Sequence, residues 1–363
     1  MKKVSICHFT ISHNPYDERI FHKECNSLSK KFQVNLVTTC DKSFEENSIN
    51  IIGIGRNKNN FNRLLRTFSI IPTLLKVKSK IYHFHDPELL FTGFLLKFIF
   101  QKKVVYDIHE DYTKALKTHS VNSFIIKLWN KLELSLANYF DLTIVVDSHL
   151  YTKFIKSSPL LIGNYPYKAF AENIDYGKRG KGSFKLVYLG SITEDRGLRM
   201  SVKLVESIKD FDIELHIIGE SKYDDLTVLF KNSEKVTYHG RIPWTDLKDS
   251  LMGYDVGLIL LKPVPAYTYS TGENIVKLFE YAGLGIPFLI SNFPGLNEFV
   301  NENGGGLLAD PMNLDDIIAK VKMLYEDKIL RNKLSKEGNE FVLNKYNWDL
   351  QENKLIEAYS KII

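Results

Sequence analysis

The sequence of 363 residues predicts an α/β protein built from two doubly wound, Rossmann-like domains. Its length suits two domains of ordinary size, at roughly 100–200 residues each. Short β-branched and apolar runs alternate with stretches of helical periodicity, which indicates parallel sheets covered by helices on both faces. The alternation stops at 166–183, where the run GKRGKGS is typical of a linker, and then starts again.

In the first half, the sequence predicts six strands and four helices before the interruption. Its predicted elements are strand 4–9, helix 17–30, strand 34–38, strand 51–54, helix 61–76, strand 81–85, helix 89–100, strand 103–108, helix 123–139 and strand 142–147. Strands that alternate with helices in this way form parallel sheets.

The second half repeats the pattern. Its predicted elements are strand 184–190, helix 199–208, strand 213–219, strand 236–239, helix 247–252, strand 256–261, helix 276–284, strand 287–291, helices 314–325 and 328–342, and a last helix 350–363. We therefore predict domains at 1–165 and 184–344, a linker at 166–183 and a C-terminal segment at 345–363. Ligands of such sheets bind at the carboxyl ends of the strands, so two facing domains would share one cleft.

Composition excludes several classes of protein. Cys7, Cys25 and Cys40 form neither a disulfide framework nor a zinc pattern and favour a reducing compartment. The longest apolar stretch, 89–100, is shorter than the roughly 18 residues of a membrane span. We expect a cytoplasmic protein, with peripheral contact at the inner face of the cytoplasmic membrane as a further hypothesis. No basic and aromatic motif indicates nucleic-acid binding.

Charge is divided unevenly along the chain. Residues 1–165 contain 23 lysines and arginines against 14 aspartates and glutamates, whereas the whole chain has 48 against 43. A basic first half favours an anionic partner, such as a phospholipid surface or a phosphorylated acceptor. Solvated lysines on outer helix faces are the alternative interpretation.

The first motif, YLGSITEDRG at 188–197, predicts a strand, a short loop and a helix start. Free N–H groups at a helix start beside the Arg196 guanidinium suit a phosphate. An ordinary βα turn with a glycine at the bend is the alternative.

The second motif is GENIVKLFEYAGLGIP at 272–287. Glu273 and Glu280 are seven residues apart, so they can lie on one helix face. Glu280 lies in an otherwise apolar helix and needs a partner, because burial of a bare carboxylate is costly. A ribose diol would supply one, and an ion pair with Lys277 is the alternative.

The third motif has two parts, HFHDPE at 83–88 and YDIHEDY at 106–112, each at the end of a predicted strand. Histidines with nearby carboxylates indicate a metal site, an acid–base site, or polar side chains satisfied by one another. The sequence Asp210-Phe-Asp212 has the spelling of a metal-binding D-x-D motif, but we interpret it as a loop before a strand. We therefore predict no metal and no cofactor.

These segments together resemble family 4 retaining glycosyltransferases of the GT-B fold, the bacterial surface-polysaccharide type, over nearly the full chain. The second half carries most of the resemblance, in KLVYLGSITEDRG, LHIIGE, VTYHGRIP, YDVGLILL and ENIVKLFEYAGLGIPFLIS. The first half adds PYDERIFHKECNSLSKKF, HDPELL and YDIHEDY, and NKYNWDLQENKLIEAY resembles the segment that crosses back to the first domain.

The resemblance implies a role for each matching residue. Glu280 matches the glutamate that holds the donor ribose, whereas Gly272 stands where a first glutamate is expected and Glu273 follows it. The implied donor-binding residues are Gly190, Ser191, Arg196, Gly219, Asn274, Ile275, Val276, Lys277 and Glu280. The implied catalytic residues are His109, Glu273 and Arg196, and the implied acceptor-side residues are Asp17, Arg19, His85, Asp86 and His109.

The implied activity is metal-independent transfer of a sugar, with retention, from a nucleotide-sugar donor to a glycan or lipid-linked saccharide acceptor. UDP is preferred to GDP as the nucleotide, and the pathway is surface polysaccharide or glycoconjugate synthesis. A nucleotide-sugar 2-epimerase and a non-catalytic nucleotide-sugar-binding subunit are the alternatives. The segment 61–78 mixes apolar and basic residues and is interpreted either as a membrane contact or as a packed helix with a basic outer face.

Overall fold

The computed structural model describes residues 3–56, 60–118, 121–175, 182–221 and 223–363. The chain forms two compact units: unit 1 comprises Met1–Asn164 with Asp349–Ile363, and unit 2 comprises Tyr165–Trp348. Part of the predicted linker, 176–181, lies outside the described residues. The side chains at positions 61, 62 and 64 of the predicted membrane segment lie outside them as well.

Unit 1 contains one sheet of eight strands within the described residues, in the order β3-β4-β2-β1-β5-β6-β7-β8. The strands are Ser5–Phe9 (β1), Gln33–Thr38 (β2), Phe44–Glu46 (β3), Ile49–Gly53 (β4), Ile81–Phe84 (β5), Lys103–Ile108 (β6), Leu142–Val145 (β7) and Leu160–Leu161 (β8). All neighbours pair in parallel except β3 and β4, which pair antiparallel at the edge.

A π-helix, Glu18–Cys25, follows β1 and begins at Asp17, whose carboxylate accepts hydrogen bonds from the N–H groups of Arg19 and Ile20. The α-helices of the unit that follow it are Asn26–Ser29 (α1), Asn60–Ser69 (α2), Ile71–Val77 (α3), Leu90–Phe98 (α4), Tyr112–Thr118 (α5), Ser123–Ala137 (α6) and Ser148–Lys153 (α7).

Unit 2 contains a six-stranded, fully parallel sheet in the order β11-β10-β9-β12-β13-β14 among its described residues. Its strands are Phe184–Leu189 (β9), Ile213–Ile218 (β10), Val236–Gly240 (β11), Val256–Ile259 (β12), Phe288–Ser291 (β13) and Gly306–Ala309 (β14). Its helices are Lys168–Ala171 (α8), Leu198–Ser207 (α9), Asp224–Lys231 (α10), Leu247–Leu251 (α11), Val276–Gly283 (α12), Pro294–Asn303 (α13), Leu314–Glu326 (α14) and Lys328–Asn344 (α15).

Both faces of the unit 2 sheet are buried. Successive side chains of β9 point to opposite faces, so Leu186 and Tyr188 join one apolar cluster and Val187 joins the other. The first cluster packs under α9, through Leu198 and its neighbours, and the second packs under α12. Burial on both faces explains why these strands are continuously apolar in the sequence.

The last helix, Trp348–Ile362 (α16), belongs to unit 1 from Asp349 onward. Its Tyr359 hydroxyl lies 2.6 Å from His83 Nδ1 on β5. Glu352 of the same helix accepts a hydrogen bond of 3.1 Å from Ser27. Helix α16 therefore completes unit 1.

The structure differs from the predicted elements in places. The predicted helix 17–30 begins with the π-helix, and the predicted helix 61–76 is divided into α2 and α3. Pro72 lies in the first turn of α3, and a proline there removes the hydrogen bond that would continue α2. The short elements β3, β8, β14, α5, α7, α10 and α13 were not predicted. No described helix has the length and apolar character needed to cross a bilayer.

Candidate functional site

The carboxyl ends of β1, β5 and β6 meet at one edge of the unit 1 sheet, where the strand order changes direction. His85 and Asp86 follow β5, and His109 follows β6. The structure therefore brings these three predicted acceptor-side residues together.

Asp86 organises the loop that follows β1. Its carboxylate accepts hydrogen bonds of 2.7 Å from both the Thr10 hydroxyl and the Ile11 N–H, and a further one from the Ser12 hydroxyl. The side chain is only 2% exposed. Asp86 thus shapes the wall of the site, because its oxygens are already occupied by the loop.

Asp107, on β6, forms a hydrogen bond with the His109 ring. Its Oδ2 lies 2.6 Å from His109 Nε2. The Arg19 guanidinium donates two parallel hydrogen bonds of 3.0 Å to the same carboxylate. Burial raises the pKa of Asp107, but Arg19 and His109 more than offset this effect and hold it well below its usual range. His109 therefore faces an ionised carboxylate and is fixed in orientation.

Arg19 and Asp17 were predicted to lie near the acceptor. In the structure Arg19 is buried, and its third hydrogen bond, of 3.0 Å, goes to the Ile162 carbonyl. Asp17 caps the π-helix and lies 2.8 Å from His13 Nδ1. Arg19 thus contacts the site through Asp107, and Asp17 contacts it through His13.

Three further histidines lie buried below His109. His85 Nδ1 is 3.2 Å from Asp107, and its Nε2 is 3.1 Å from His8 Nδ1. Burial lowers the pKa of His85 to about 4 and holds those of His8 and His83 well below their usual value. These imidazoles are neutral at physiological pH.

Two groups of potential metal ligands lie in this region of the described chain. Within each group the ligand atoms are at most 4.8 Å apart: His8, Glu24, His83 and His85 in one, and His85, Asp107 and His109 in the other. Zinc accepts such nitrogen and oxygen donors, yet Arg19 Nε already lies 3.0 Å from Glu24 Oε1 as an internal cation. The absence of a metal stays a prediction.

A pocket of about 280 Å³ opens over these residues. Its lining includes His13, Arg63, His85, Asp86, His109 and Tyr112. The His109 side chain is 20% exposed, so the residue that Asp107 holds is also reachable from the pocket.

In unit 2 two glycines bring the ends of β9 and β10 into close contact. Gly190 has a φ of +123° and Gly219 a φ of +156°. A Cβ on Gly219 would lie 1.9 Å from the Gly190 carbonyl oxygen. Only glycine permits this approach, and the space above Gly190 is left to the Lys277 side chain.

Lys277 is a buried amine that lacks a hydrogen-bond partner among the described residues. Its Nζ forms no hydrogen bond among the described residues and lies 4.0 Å from the centre of the Tyr188 ring. A Cβ on Gly190 would be 3.1 Å from this Nζ. Burial, and then the charge of Arg196, hold the pKa of Lys277 well below its usual value.

Arg196 ends a short 3-10 turn, Glu194–Arg196, immediately before α9. Its guanidinium carbon lies 5.6 Å from the centre of the Tyr267 ring, and its Nε has no hydrogen-bond partner among the described residues. Two basic side chains with free N–H groups thus lie at the carboxyl edge of the unit 2 sheet.

The other predicted donor-site residues lie around this pair. Asn274 accepts a hydrogen bond of 2.7 Å from Ser270, and the Ile275 N–H donates to the Gly272 carbonyl at 3.0 Å. Val276 begins α12, Glu280 is buried within it, Glu273 is partly exposed and Ser191 is exposed. The Ile275 N–H is thus engaged within the loop in this structure.

Sequence reasoning missed Tyr281, which fixes α12 against β9. Its hydroxyl accepts a hydrogen bond of 2.7 Å from the Leu189 N–H and lies 3.2 Å from the Val187 carbonyl. Tyr281 is one helical turn after Lys277, so this contact sets the position of Lys277. It also missed Glu24, Asp107 and His13, although the motif YDIHEDY contains Asp107.

Comparison with known proteins finds a family match within the second unit. The model of the family described as "Glycosyl transferases group 1" matches residues 170–341. An uncharacterized glycosyltransferase of Methanocaldococcus jannaschii is 26% identical over 167 residues, 45% of this chain and 44% of that protein. The capsular polysaccharide biosynthesis glycosyltransferase CapM of Staphylococcus aureus is 23% identical over 197 residues, 52% of this chain and 49% of that protein. The matches span about half the length of these relatives.

Solved structures show the same fold over the full chain. Sucrose-phosphate synthase of Thermosynechococcus elongatus superposes with a TM-score of 0.76 at 15% identity, covering 99% of both chains. HepE of Anabaena, solved with UDP-glucose, superposes with a TM-score of 0.73 at 13% identity, covering 98% of this chain and 99% of that one. The predicted GT-B fold is confirmed. Residues 170–341, most of unit 2, are similar to the group 1 glycosyl transferases.

Proposed function

We propose that this protein is a retaining, metal-independent glycosyltransferase. Its donor is a UDP-sugar, and its acceptor is a glycan or lipid-linked saccharide of surface polysaccharide synthesis. The family match, the CapM relative and the UDP-glucose complex of HepE support this proposal. Unit 2 binds the donor, and the pocket of unit 1 belongs to the acceptor side.

The observation that carries the proposal is the unpaired Lys277. A buried amine without a partner is unfavourable in the free protein. A diphosphate placed beside Gly190 would supply the missing negative charge, and Arg196 would contact it through its free Nε. The N-terminus of α12 adds a partial positive charge at the same edge. These groups would stabilise the negative charge of the diphosphate, which is the role of a metal ion in other sugar transferases.

In the proposed reaction, the bond between the anomeric carbon and the diphosphate oxygen breaks while the acceptor hydroxyl attacks on the same face. The acceptor proton moves to the leaving phosphate oxygen, so no protein nucleophile is needed. Arg196 and Lys277 stabilise the negative charge that develops on the diphosphate. His109, oriented by Asp107, positions the sugar.

The donor site is tested by thermal unfolding with UDP, GDP, ADP and their sugars, with and without EDTA. UDP at a hundredfold excess over its Kd should stabilise the protein by about 2.7 kcal/mol, and EDTA should leave this unchanged. Lys277→Met should abolish the stabilisation. The variant should fold, because it replaces an unpaired buried amine with an apolar side chain.

The control is Lys322→Met, which removes a partly exposed lysine of unit 2 that pairs with Asp210. It should retain the full nucleotide response. Loss of stabilisation in EDTA would refute metal independence. If UDP stabilises Lys277→Met as much as the wild type, the proposed donor site at Lys277 is wrong.

We also propose that unit 1 contacts an anionic membrane through the outer faces of α4 and α6. Phe124 is 73% exposed and Leu128 is 58% exposed on α6, at helical spacing with the exposed Lys127 and Lys131. Phe91, Phe98 and Ile99 extend the apolar surface onto α4 and the residue that follows it. Apolar side chains interleaved with lysines suit an anionic bilayer.

Co-sedimentation with phosphatidylglycerol vesicles tests this surface. The double variant Phe124→Ser, Leu128→Ser should bind about tenfold or more weakly, because each side chain contributes about 1.5–3 kcal/mol when buried. Ile329→Ser, at an 83% exposed apolar residue of unit 2, is the control and should bind normally. Equal binding to neutral phosphatidylcholine vesicles would contradict the proposed role of the lysines.

A further inference from the structure

The loop between β1 and the π-helix holds His13 rigidly on the wall of the unit 1 pocket. The His13 N–H donates to the Thr10 hydroxyl at 3.1 Å. Its carbonyl accepts hydrogen bonds of 2.7 and 2.6 Å from the hydroxyls of Thr38 and Thr39. This residue was in no predicted site, yet its backbone is fixed from both sides.

The His13 side chain is fixed in the same way as that of His109. His13 Nδ1 lies 2.8 Å from Asp17 Oδ2, and Asp17 is itself immobilised as the cap of the π-helix. The rings of His13 and His109 are 5.7 Å apart and meet edge to face. The pocket thus contains two imidazoles, and each forms a hydrogen bond with a carboxylate. The His13 side chain is 30% exposed and the His109 side chain is 20% exposed.

The charges around these two histidines are predominantly negative. Arg63, a cation of the described lining, pairs with Glu88 at 2.8 Å through one terminal nitrogen, and its Nε has no hydrogen-bond partner among the described residues. The carboxylates of Asp86 and Glu110 line the pocket, and Asp17 lies behind His13. A phosphate or carboxylate on the ligand would meet like charges, whereas the hydroxyls of an uncharged sugar would not, and they can form hydrogen bonds with imidazoles.

Protonation of His13 fits this role. Burial lowers the pKa of His13, but the hydrogen bond and charge of Asp17, with a contribution from Asp86, outweigh burial and the opposing charge of Arg63 and raise it. His13 Nε2 is 3.8 Å from Asp86 Oδ1. A positive charge on His13 would therefore be offset by the neighbouring carboxylates Asp17 and Asp86.

We propose that the pocket binds an uncharged, hydroxyl-bearing sugar residue between His13 and His109, and that it rejects sugars phosphorylated at that residue. This assignment rests on the function proposed above and names the class of saccharide that its unit 1 site accepts. It differs from the expectation, drawn from net charge alone, that the basic first half favours an anionic partner.

Saturation-transfer NMR on the full-length protein tests the assignment. The probes are the methyl α-glycosides of glucose, galactose and mannose, N-acetylglucosamine, glucose 6-phosphate and mannose 6-phosphate. At least one neutral sugar should give a signal, and the two phosphates should give none. His13→Gln should weaken the neutral-sugar signal about tenfold, as for loss of a hydrogen bond to a charged group.

His149→Gln is the matched control, since His149 also pairs with a carboxylate, Asp111, but is outside the pocket lining. Its sugar signal should equal that of the wild type. Asp17→Asn keeps a capping oxygen for the π-helix and removes the charge behind His13, so it should weaken binding without unfolding the unit.

Three results would overturn the assignment: no signal from any neutral sugar, an unchanged signal in His13→Gln, or a stronger signal from the phosphates. The nucleotide experiment reports on unit 2 independently. A His13-dependent sugar signal without any nucleotide response would refute the proposed transferase and leave the sugar pocket standing. The reverse pattern would refute the pocket alone.

Discussion

The guanidinium of Arg19 lies between two buried carboxyl groups. It pairs with Asp107 through two hydrogen bonds and approaches Glu24 at 3.0 Å. Burial and the neighbouring Asp107 raise the pKa of Glu24 well above its usual range, although Arg19 opposes them. Arg19 thus offsets the charge of Asp107, and the raised pKa of Glu24 favours its protonated form.

Substitution of the two carboxyl groups should lower the stability by very different amounts. Asp107→Asn leaves Arg19 buried without its counter-ion and should lower the free energy of unfolding by about 3–5 kcal/mol. Glu24→Gln replaces a protonated carboxyl with an amide of similar shape and should cost little at neutral pH. Urea unfolding of both variants at pH 7 measures the contrast.

The raised pKa of Glu24 also predicts how the stability of the protein changes with pH. Because the folded pKa of Glu24 is raised, the wild type loses stability as pH rises above the unfolded value of about 4.3 toward the folded value. Glu24→Gln should therefore show a flatter stability profile between pH 5 and pH 8, by about 1.4 kcal/mol per pH unit at most. A large loss of stability in Glu24→Gln at every pH would show that Glu24 is ionised.

At the scale of elements, α12 is positioned against β9 by one tyrosine hydroxyl. Tyr281→Phe leaves the Leu189 N–H without its partner, which should cost about 1–3 kcal/mol of unfolding free energy. Lys277 lies one turn away on the same helix, so the stabilisation by UDP should also decrease. Thermal unfolding with and without UDP measures both effects.

Tyr325→Phe serves as the comparison, because the Tyr325 ring stacks on Phe211 and is 40% exposed. Both its stability and its UDP response should match the wild type. If Tyr281→Phe keeps the full UDP response, the donor site does not depend on the register of α12.

The π-helix could not be predicted from the spacing of apolar residues. Apolar residues at 20, 21, 25 and 28 fit an ordinary helix, and a π turn leaves the same residues facing the core. The wider turn is visible only in the hydrogen bonds, where the His22 N–H reaches the Asp17 carbonyl five residues back. Such turns commonly accompany functional sites, and this one carries Arg19 and Glu24.

At the scale of the whole molecule, the fold was predictable and much of the site was not. The parallel strands of both units are continuous apolar runs, so β1, β5, β9 and β10 could be recognised from sequence alone. His85, Asp86 and His109 could be placed because strand ends meet at one edge. The partners of these residues could not be predicted. Arg19 and Asp107 are 88 residues apart in the sequence, and the local pair of His13 and Asp17 forms in a loop that has no regular periodicity.

The return of the chain to unit 1 has a consequence for synthesis. Residues up to Asn164 are synthesised before unit 2, whereas Tyr359, which contacts His83, is synthesised after it. Unit 2 is contiguous and can complete its sheet during translation. The unit that is made first is therefore completed after unit 2, and its histidine cluster lacks the Tyr359 contact until α16 has been made.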